Sequence, residues 1–326
     1  TGENRILTYF GLQVINSNPR NGIKAIIQGV KKNILTITDV VFIIAPRINA
    51  AGRMKHGNYA VELLTEMDYE TAISFAASIE KFNIERKEID KKITYEALQQ
   101  IEAADEKEKF STVVYSEDWH KGVIGIVASR LIESYYRPTL VFTKSGEKLA
   151  ASARSVKGFD VYEALEQCSE HLEQFGGHKY AAGLTLSPDQ YIPFKEKFEA
   201  VVKKTIDKEL LIPEIAIDSP LELSDITPKF FRILKQMGPF GPKNMKPVFT
   251  TNAVRDNGYG KRVGVDKSHL KLNIINGADQ KTYNAIGFGL GDKITSTQND
   301  FDIAYNLDEN EWNGNTSIQL LIKDIK

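Results

Sequence analysis

The sequence predicts an α/β plus all-β chain: a helical segment, a long connecting helix, a compact α/β domain and a small C-terminal β barrel. Three observations lead there. Residues 68–109 contain neither proline nor glycine and repeat apolar side chains at helical spacing (Ala72, Phe75, Ala76, Ile79, Phe82, Ile89, Ile93, Ala97, Ile101). Residues 110–206 switch repeatedly between the period of a strand and that of a helix. Residues 207–326 carry five short strand-like runs. The expected domains are therefore 1–67, 68–109, 110–206 and 207–326.

In the first segment, Ile6, Leu7, Phe10 and Val14, then Ile23, Ile26, Ile27 and Val30, repeat as on amphipathic helices. Thr38 and Asp39 are candidate caps for a short element over 40–44. Ala45-Pro46-Arg47-Ile48-Asn49-Ala50-Ala51-Gly52-Arg53 follows, and arginines among apolar neighbours need an anionic partner. An internal salt bridge and a bound anion both satisfy that need, so Arg47, Asn49 and Arg53 are candidate anion-binding residues. The run 68–109 reads as one helix, a strut between two lobes.

In the α/β domain, strands are expected at 111–115, 139–143 and 148–155, and helices at 122–135, 159–171 and 188–206. Ala151-Ser152-Ala153-Arg154-Ser155 alternates, which offers the hydroxyls of Ser152 and Ser155 and the Arg154 guanidinium to an oxyanion. Gly176-Gly177-His178 reads as a bend between a helix and the strand 184–186. Paired glycines allow close backbone approach, and the histidine adds a titratable donor. The competing reading makes Gly176 a helix C-cap and His178 merely hydrogen-bonded.

In the last segment, Thr227 and Pro228 open a helix over 228–237, and strands are expected at 248–254, 269–275, 282–288, 301–307 and 317–322. Asn313-Gly314 is a hairpin signal. Five strands and a helix suit a Greek-key barrel of the OB type, a fold that often binds single strands but also serves protein contacts.

Composition narrows the class. The chain has 326 residues, 42% hydrophobic and 26% charged, with one cysteine, Cys168, which excludes an intramolecular disulfide and suits a reducing cytoplasm. No apolar run approaches the ~18 residues of a membrane span. The net charge of -1 is uneven: residues 228–271 hold ten Lys or Arg against two acids, whereas 272–326 hold four against eight. The first of these stretches, with Lys243, Lys261, Arg262 and Lys271, is the expected polyanion-binding surface.

Thr1-Gly2-Glu3-Asn4-Arg5, the 45–53 motif, Trp119-His120-Lys121-Gly122-Val123-Ile124-Gly125-Ile126-Val127-Ala128-Ser129-Arg130, Ser152-Ala153-Arg154-Ser155, Gly176 to Gly183 and Trp312-Asn313-Gly314 occur in an order that resembles the bacterial RecJ family, single-strand-specific exonucleases of the Asp-His-His phosphoesterase superfamily. The resemblance spans essentially the whole chain. It implies a helical remnant of the catalytic Asp-His-His domain over 1–67, a connecting helix, a DHH-associated α/β domain and an OB barrel. It also implies Mn or Mg in the whole protein, with ligands outside this chain, since no Asp-His-His run occurs here. Thr1 stands where an initiating methionine is absent, so a fragment is expected, inactive alone.

Carried over, His178 is the catalytic contact to the scissile phosphate, while Arg47, Arg53, Ser152 and Arg154 grip the 5′-terminal phosphates, with Asn49, Ser155, Gly176 and Gly177 completing the wall. The implied partners are single-stranded DNA, a helicase and a single-strand-binding protein, around a cytoplasmic monomer that does not meet a membrane. The family usually has Gly-Asn-Pro where Lys243-Asn244-Met245 stand, which leaves that loop's conformation open and frees Lys243 for nucleic acid. Two alternatives remain: a superfamily phosphodiesterase of short oligonucleotides, and a non-catalytic single-strand-binding scaffold.

Overall fold

A computed structural model describes residues 2–276, 279–297, 299–312 and 314–326, with the backbone alone at 279, 280 and 312. The chain divides into two compact units, 14–213 and a second formed by 1–13 with 214–326. No helix among the described residues is long and apolar enough to cross a membrane.

Helices α1 (Gly2–Ser17), α2 (Asn21–Ile27), α3 (Ile37–Asp39), α4 (Ala45–Met54) and α5 (Asn58–Thr65) build the first segment, as the apolar periodicity predicts. The cap expected at Thr38 and Asp39 lies two residues earlier. Thr36 is the N-cap, and Asp39 closes a capping box by accepting from the Thr36 backbone N–H at 2.7 Å. A π-helical turn, Val40–Ile44, joins α3 directly to α4.

Helix α6 (Tyr69–Ala103) is one unbroken element of 35 residues. The side chain of Asp68 caps it by accepting from the Thr71 N–H at 2.8 Å. It stops short of 109 because the chain leaves helical geometry at Asp105, whose φ is +53°. Its first half packs Ala72 and Ile79 against Ala25, Ala51 and Leu63, and its second half packs Ile93, Ala97 and Ile101 against Trp119, Val127 and Leu131.

The α/β domain follows as β1 (Thr112–Tyr115), α7 (Ile124–Ser134), β2 (Thr139–Ser145), β3 (Lys148–Arg154), α8 (Val161–Glu166), β4 (Gln174–His178), β5 (Ala181–Leu186) and α9 (Tyr191–Thr205). The sheet order is β1-β2-β3-β5-β4, parallel only between β1 and β2. Leu149, Ala151 and Ala153 of β3 join Leu184 and Leu186 of β5 and Phe194 and Phe198 of α9 in one core.

Two expectations are corrected here. The helix over 159–171 is only α8 and a 3-10 turn, Ser169–His171. Gly176-Gly177-His178 is neither bend nor helix cap: it is the end of edge strand β4, and Lys179 and Tyr180 make the turn.

In the second unit, α10 (Pro228–Gln236) begins at Thr227, whose hydroxyl accepts from the Phe230 N–H. Strand β6 (Ser219–Pro220) precedes it, and β7 (Phe249–Asp256), β8 (Lys261–Val263), β9 (His269–Asn276), β10 (Asp279–Gly287), β11 (Phe301–Trp312) and β12 (Asn315–Ile325) follow. All five expected strands are present and β6 and β8 are added. Pairings β7–β9, β9–β10, β10–β12, β12–β11 and β11–β7 close a ring in which only β10–β12 is parallel, an OB-type barrel. Strands β11 and β12 pair up to Trp312 and Asn315, flanking the expected hairpin signal, of which Asn313 lies outside the described residues, as does Thr1.

Arg137 holds the entry to the α/β domain. It is 4% exposed and donates to the carbonyls of Glu106, Lys107 and Lys109 and to Thr112 Oγ1. Arg137→Met strands those acceptors, and a urea titration is expected to show a loss of about 3 kcal/mol. Cys168 is fully buried, and burial pushes its thiol up from 9.0 to about 12. It should resist a thiol reagent at pH 8 until urea unfolds the chain. Because the folded-state pKa is the raised one, the thiol's contribution to stability is complete below pH 9 and is lost as pH rises toward 12.

Candidate nucleic-acid interface

Strand β5 lies between β3 and β4, and its Ala181 pairs with Arg154 on one side and with His178 on the other. Residues opposite one another in a sheet share a face, so Arg154 and His178 point the same way although 24 positions separate them in sequence. Two residues further along, Gly183 pairs with both Ser152 and Gly176 on that face. The opposite face carries Ala153 and Ala182, both in the core. The result is an open floor of Ala181, Gly183 and Gly176 walled by Arg154 and Ser152 on one side and by exposed His178 on the other.

Gly177 is required where it stands. Its φ is +151°, and a Cβ there would lie 2.4 Å from the Ala181 carbonyl and 2.5 Å from the Ala182 Cα. His178 Nδ1 accepts from the Tyr180 N–H at 3.2 Å, which assigns the proton to Nε2 and aims a donor outward.

Arg154 is half-buried; its Nη1 donates to Ser152 Oγ at 2.9 Å and to its neighbour Ala153's carbonyl at 2.7 Å. Burial, and then the charge of Arg53, hold its guanidinium pKa below the usual arginine value. A cation so placed gains from an anion. The start of α7 closes over this pair: a Cβ on Gly125 would stand 2.9 Å from both Arg154 Nη2 and Ser152 Oγ. In sequence Gly125 stands out only as part of the 119–130 motif. Its signal is a glycine between two isoleucines in the first turn of a helix.

The other expected residues divide. Arg53, exposed at the end of α4, donates to the Gly122 carbonyl at 3.1 Å just before α7. Arg47 instead pairs with Glu80 at 2.5 Å and donates to the Ile43 carbonyl at 2.7 Å, the internal salt bridge that its apolar surroundings also allowed. Ser155 Oγ donates to the Phe159 carbonyl, so that hydroxyl holds its own loop. Asn49 is exposed on α4.

Lys243, Lys261, Arg262 and Lys271 belong to the other unit. Lys261 and Lys271 are exposed and face each other across β8 and β9, while Arg262 pairs with Asp292 at 3.2 Å. Lys243 has φ +66°, which explains a glycine at that position in the resembling family. The loop is held by Asn244, whose Nδ2 donates to the Met237 and Pro239 carbonyls.

Residues 108–204 match the model of the DHHA1 domain and residues 217–324 that of the RecJ OB domain. The single-stranded-DNA-specific exonuclease RecJ of Bacillus subtilis is 34% identical over 99% of this chain and 41% of its own length. Over nearly its whole length this chain is similar to RecJ exonucleases. The Escherichia coli RecJ is 31% identical over 99% of the chain and 57% of its own length. The crystal structure of Thermus thermophilus RecJ with Mn2+ superposes over 100% of this chain and 47% of that one, with a TM-score of 0.84 and 27% identity. The chain thus spans about half the length of the relatives it matches. Both Mg2+ and Mn2+ complexes are known for the Thermus RecJ. Among the described residues here, no three His, Cys, Asp or Glu side chains gather to hold a metal.

Gly177→Ala is expected to cost about 2 kcal/mol through backbone strain and the clash with β5. A urea midpoint measures the loss, and amide exchange should locate it at β4 and β5.

Proposed function

We propose that this chain is the strand-holding part of a metal-dependent, single-strand-specific 5′-to-3′ exonuclease of DNA repair and recombination. One observation carries the reading: the common pairing of Arg154 and His178 with Ala181, which sets a guanidinium, a hydroxyl and an Nε2–H donor around a floor free of large side chains. The names of the relatives, single-stranded-DNA-specific exonucleases, supply the substrate class.

In this reading Ser152 and Arg154 hold the 5′-terminal phosphate, with Arg53 nearby. Asn49 adds a polar contact from α4, and Gly176 and Gly177 keep the strand's path clear. Arg47 acts through its ion pair, positioning α4, rather than on the phosphate. His178 donates to a non-bridging oxygen of the scissile phosphate, where the interaction strengthens as negative charge develops. In the whole protein a bound Mn or Mg ion supplies the activated water; its ligands lie outside this chain, which alone is inactive. Lys243, Lys261, Arg262 and Lys271 on the barrel attract the strand through counterion release. The protein works as a cytoplasmic monomer, with a helicase and a single-strand-binding protein delivering the strand.

The test is binding of the full chain to a twenty-nucleotide oligothymidylate carrying a 5′-phosphate, carrying a 5′-hydroxyl, or closed into a circle. The phosphorylated linear strand should bind most tightly, with affinity falling steeply as salt rises. Arg154→Ala should remove about 1.5 to 3 kcal/mol from that preference. Equal binding of linear and circular strands, untouched by Arg154→Ala, would point to a scaffold instead.

A further inference from the structure

The barrel wall is not sealed along its whole height. Among the described residues, β10 and β12 pair only at Ala285–Leu320 and Ile286–Leu321. Before those pairs the two strands part, although β9 still pairs with β10 at Tyr283 and β11 with β12 back to Asn315. A groove of about 830 Å³ occupies the gap, lined on one side by residues 282–284 and on the other by 316–318. Both segments turn toward it the ladder edge that has no strand partner among the described residues.

Helix α10 forms the third side through Pro228, Phe231, Arg232, Lys235 and Gln236, a spacing of three and four residues that lies along one stripe of a helix, about 12 Å long. The floor is apolar: Ile226, Phe231 and Tyr283 are buried there. The rim is cationic. Arg232 is exposed, Lys281 lies over the Tyr283 ring at 4.7 Å, and Lys235 meets Glu309, the one acid of the lining, at 2.6 Å. Three cations against one acid leave a surplus of two positive charges, so the groove suits an anionic chain. A nucleic-acid strand is held by bases stacked on exposed rings, but Phe231 and Tyr283 are only 7% and 5% exposed, and the exposed rings of Tyr259 and Phe288 lie outside the groove. A peptide instead adds to unpaired strand edges, which the parted seam supplies on both sides.

We propose that the parted seam between β10 and β12 is a docking site for an extended acidic peptide of a partner protein. The peptide lies as an added strand over about four residues, its main chain pairing with the seam. Alternate side chains meet the floor at Ile226 and Phe231, and its carboxylates meet Arg232, Lys235 and Lys281. The site is separate from Lys261 and Lys271 on β8 and β9, and it does not depend on the reading of Arg154 and His178.

Fluorescence anisotropy of the full chain with a labelled, end-blocked hexapeptide alternating Asp and Val tests it. Two controls accompany it: the same peptide with Lys for Asp, and one with alternate amides N-methylated. The Asp–Val peptide should bind, and both controls should bind at least about tenfold more weakly, the first through charge and the second through lost main-chain pairing. Arg232→Glu should weaken the Asp–Val peptide about tenfold, while Arg232→Lys should keep most of the affinity, with unchanged urea midpoints showing that each variant folds. Lys271→Glu should leave the peptide unchanged while weakening an oligothymidylate.

An Asp–Val peptide that fails to bind by about 1 mM would overturn the site. So would equal binding of the N-methylated peptide, or affinity untouched by Arg232→Glu. If an oligothymidylate displaces the peptide and itself weakens on Arg232→Glu, the groove holds nucleic acid and the proposal fails. Self-association in sedimentation that Arg232→Glu abolishes would give the groove to a second copy of this chain, and overturns it equally.

Discussion

Ala181 accepts a neighbour on each side, Arg154 from β3 and His178 from β4, and the wall follows from that double pairing. A sheet has a side-chain period of two, so a slip of one residue would send Arg154 into the core and Ala153 outward. The core forbids the slip, because Ala153, Ala182 and Leu184 fill one packed face with Phe194 and Phe198. Hydrophobic register thus places the polar groups without any polar contact between β3 and β4. The glycines then matter for what they omit: Gly183 and Gly176 leave the floor open, and Gly177 adopts a conformation that a side chain would resist.

The arginines of the first unit fall into two kinds by what already neutralises them. Arg47 and Arg130 meet carboxylates, and Arg137 meets carbonyls on three sides; these hold helices and loops in place. Among the described residues, Arg53, Arg86 and Arg154 donate to neutral acceptors, and the charge of Arg53 lowers the pKa of the other two, against the pull of Asp90 on Arg86. Like charges gathered at partial burial are unfavourable on their own, and an anion relieves them. The distinction depends on burial and partners rather than on residue type.

The barrel works differently. Its ring closes through β7 and β9, which removes the free edge that would otherwise invite pairing with another chain. Leu270, Leu272 and Ile274 alternate inward along β9, so Lys271 is turned out beside Lys261. The positive charge concentrated over 228–271 lies in part on this outward surface, where it acts over a Debye length of about 8 to 10 Å. Such a surface attracts a polyanion without choosing its sequence.

Local sequence determined the elements whose signal is local. The glycine-free, proline-free run and its apolar spacing specify α6, and alternation specifies β9 and β11, because helix and strand periods are carried by residues a few positions apart. Thr227 and Pro228 likewise mark the start of α10. Strand β4 was not legible, because Gly176, Gly177 and His178 have no side-chain pattern of a strand and pair only because β5 is there to receive them. Nor could sequence separate Arg47 from Arg154, since Glu80 lies 33 positions from Arg47 and meets it only once α4 packs on α6. The burial of Asn83 was hidden for the same reason: on one helix it reads as an ordinary surface residue, and only the packed neighbours bury it. What the tertiary structure decided is which polar groups have partners, because partners come from distant parts of the chain.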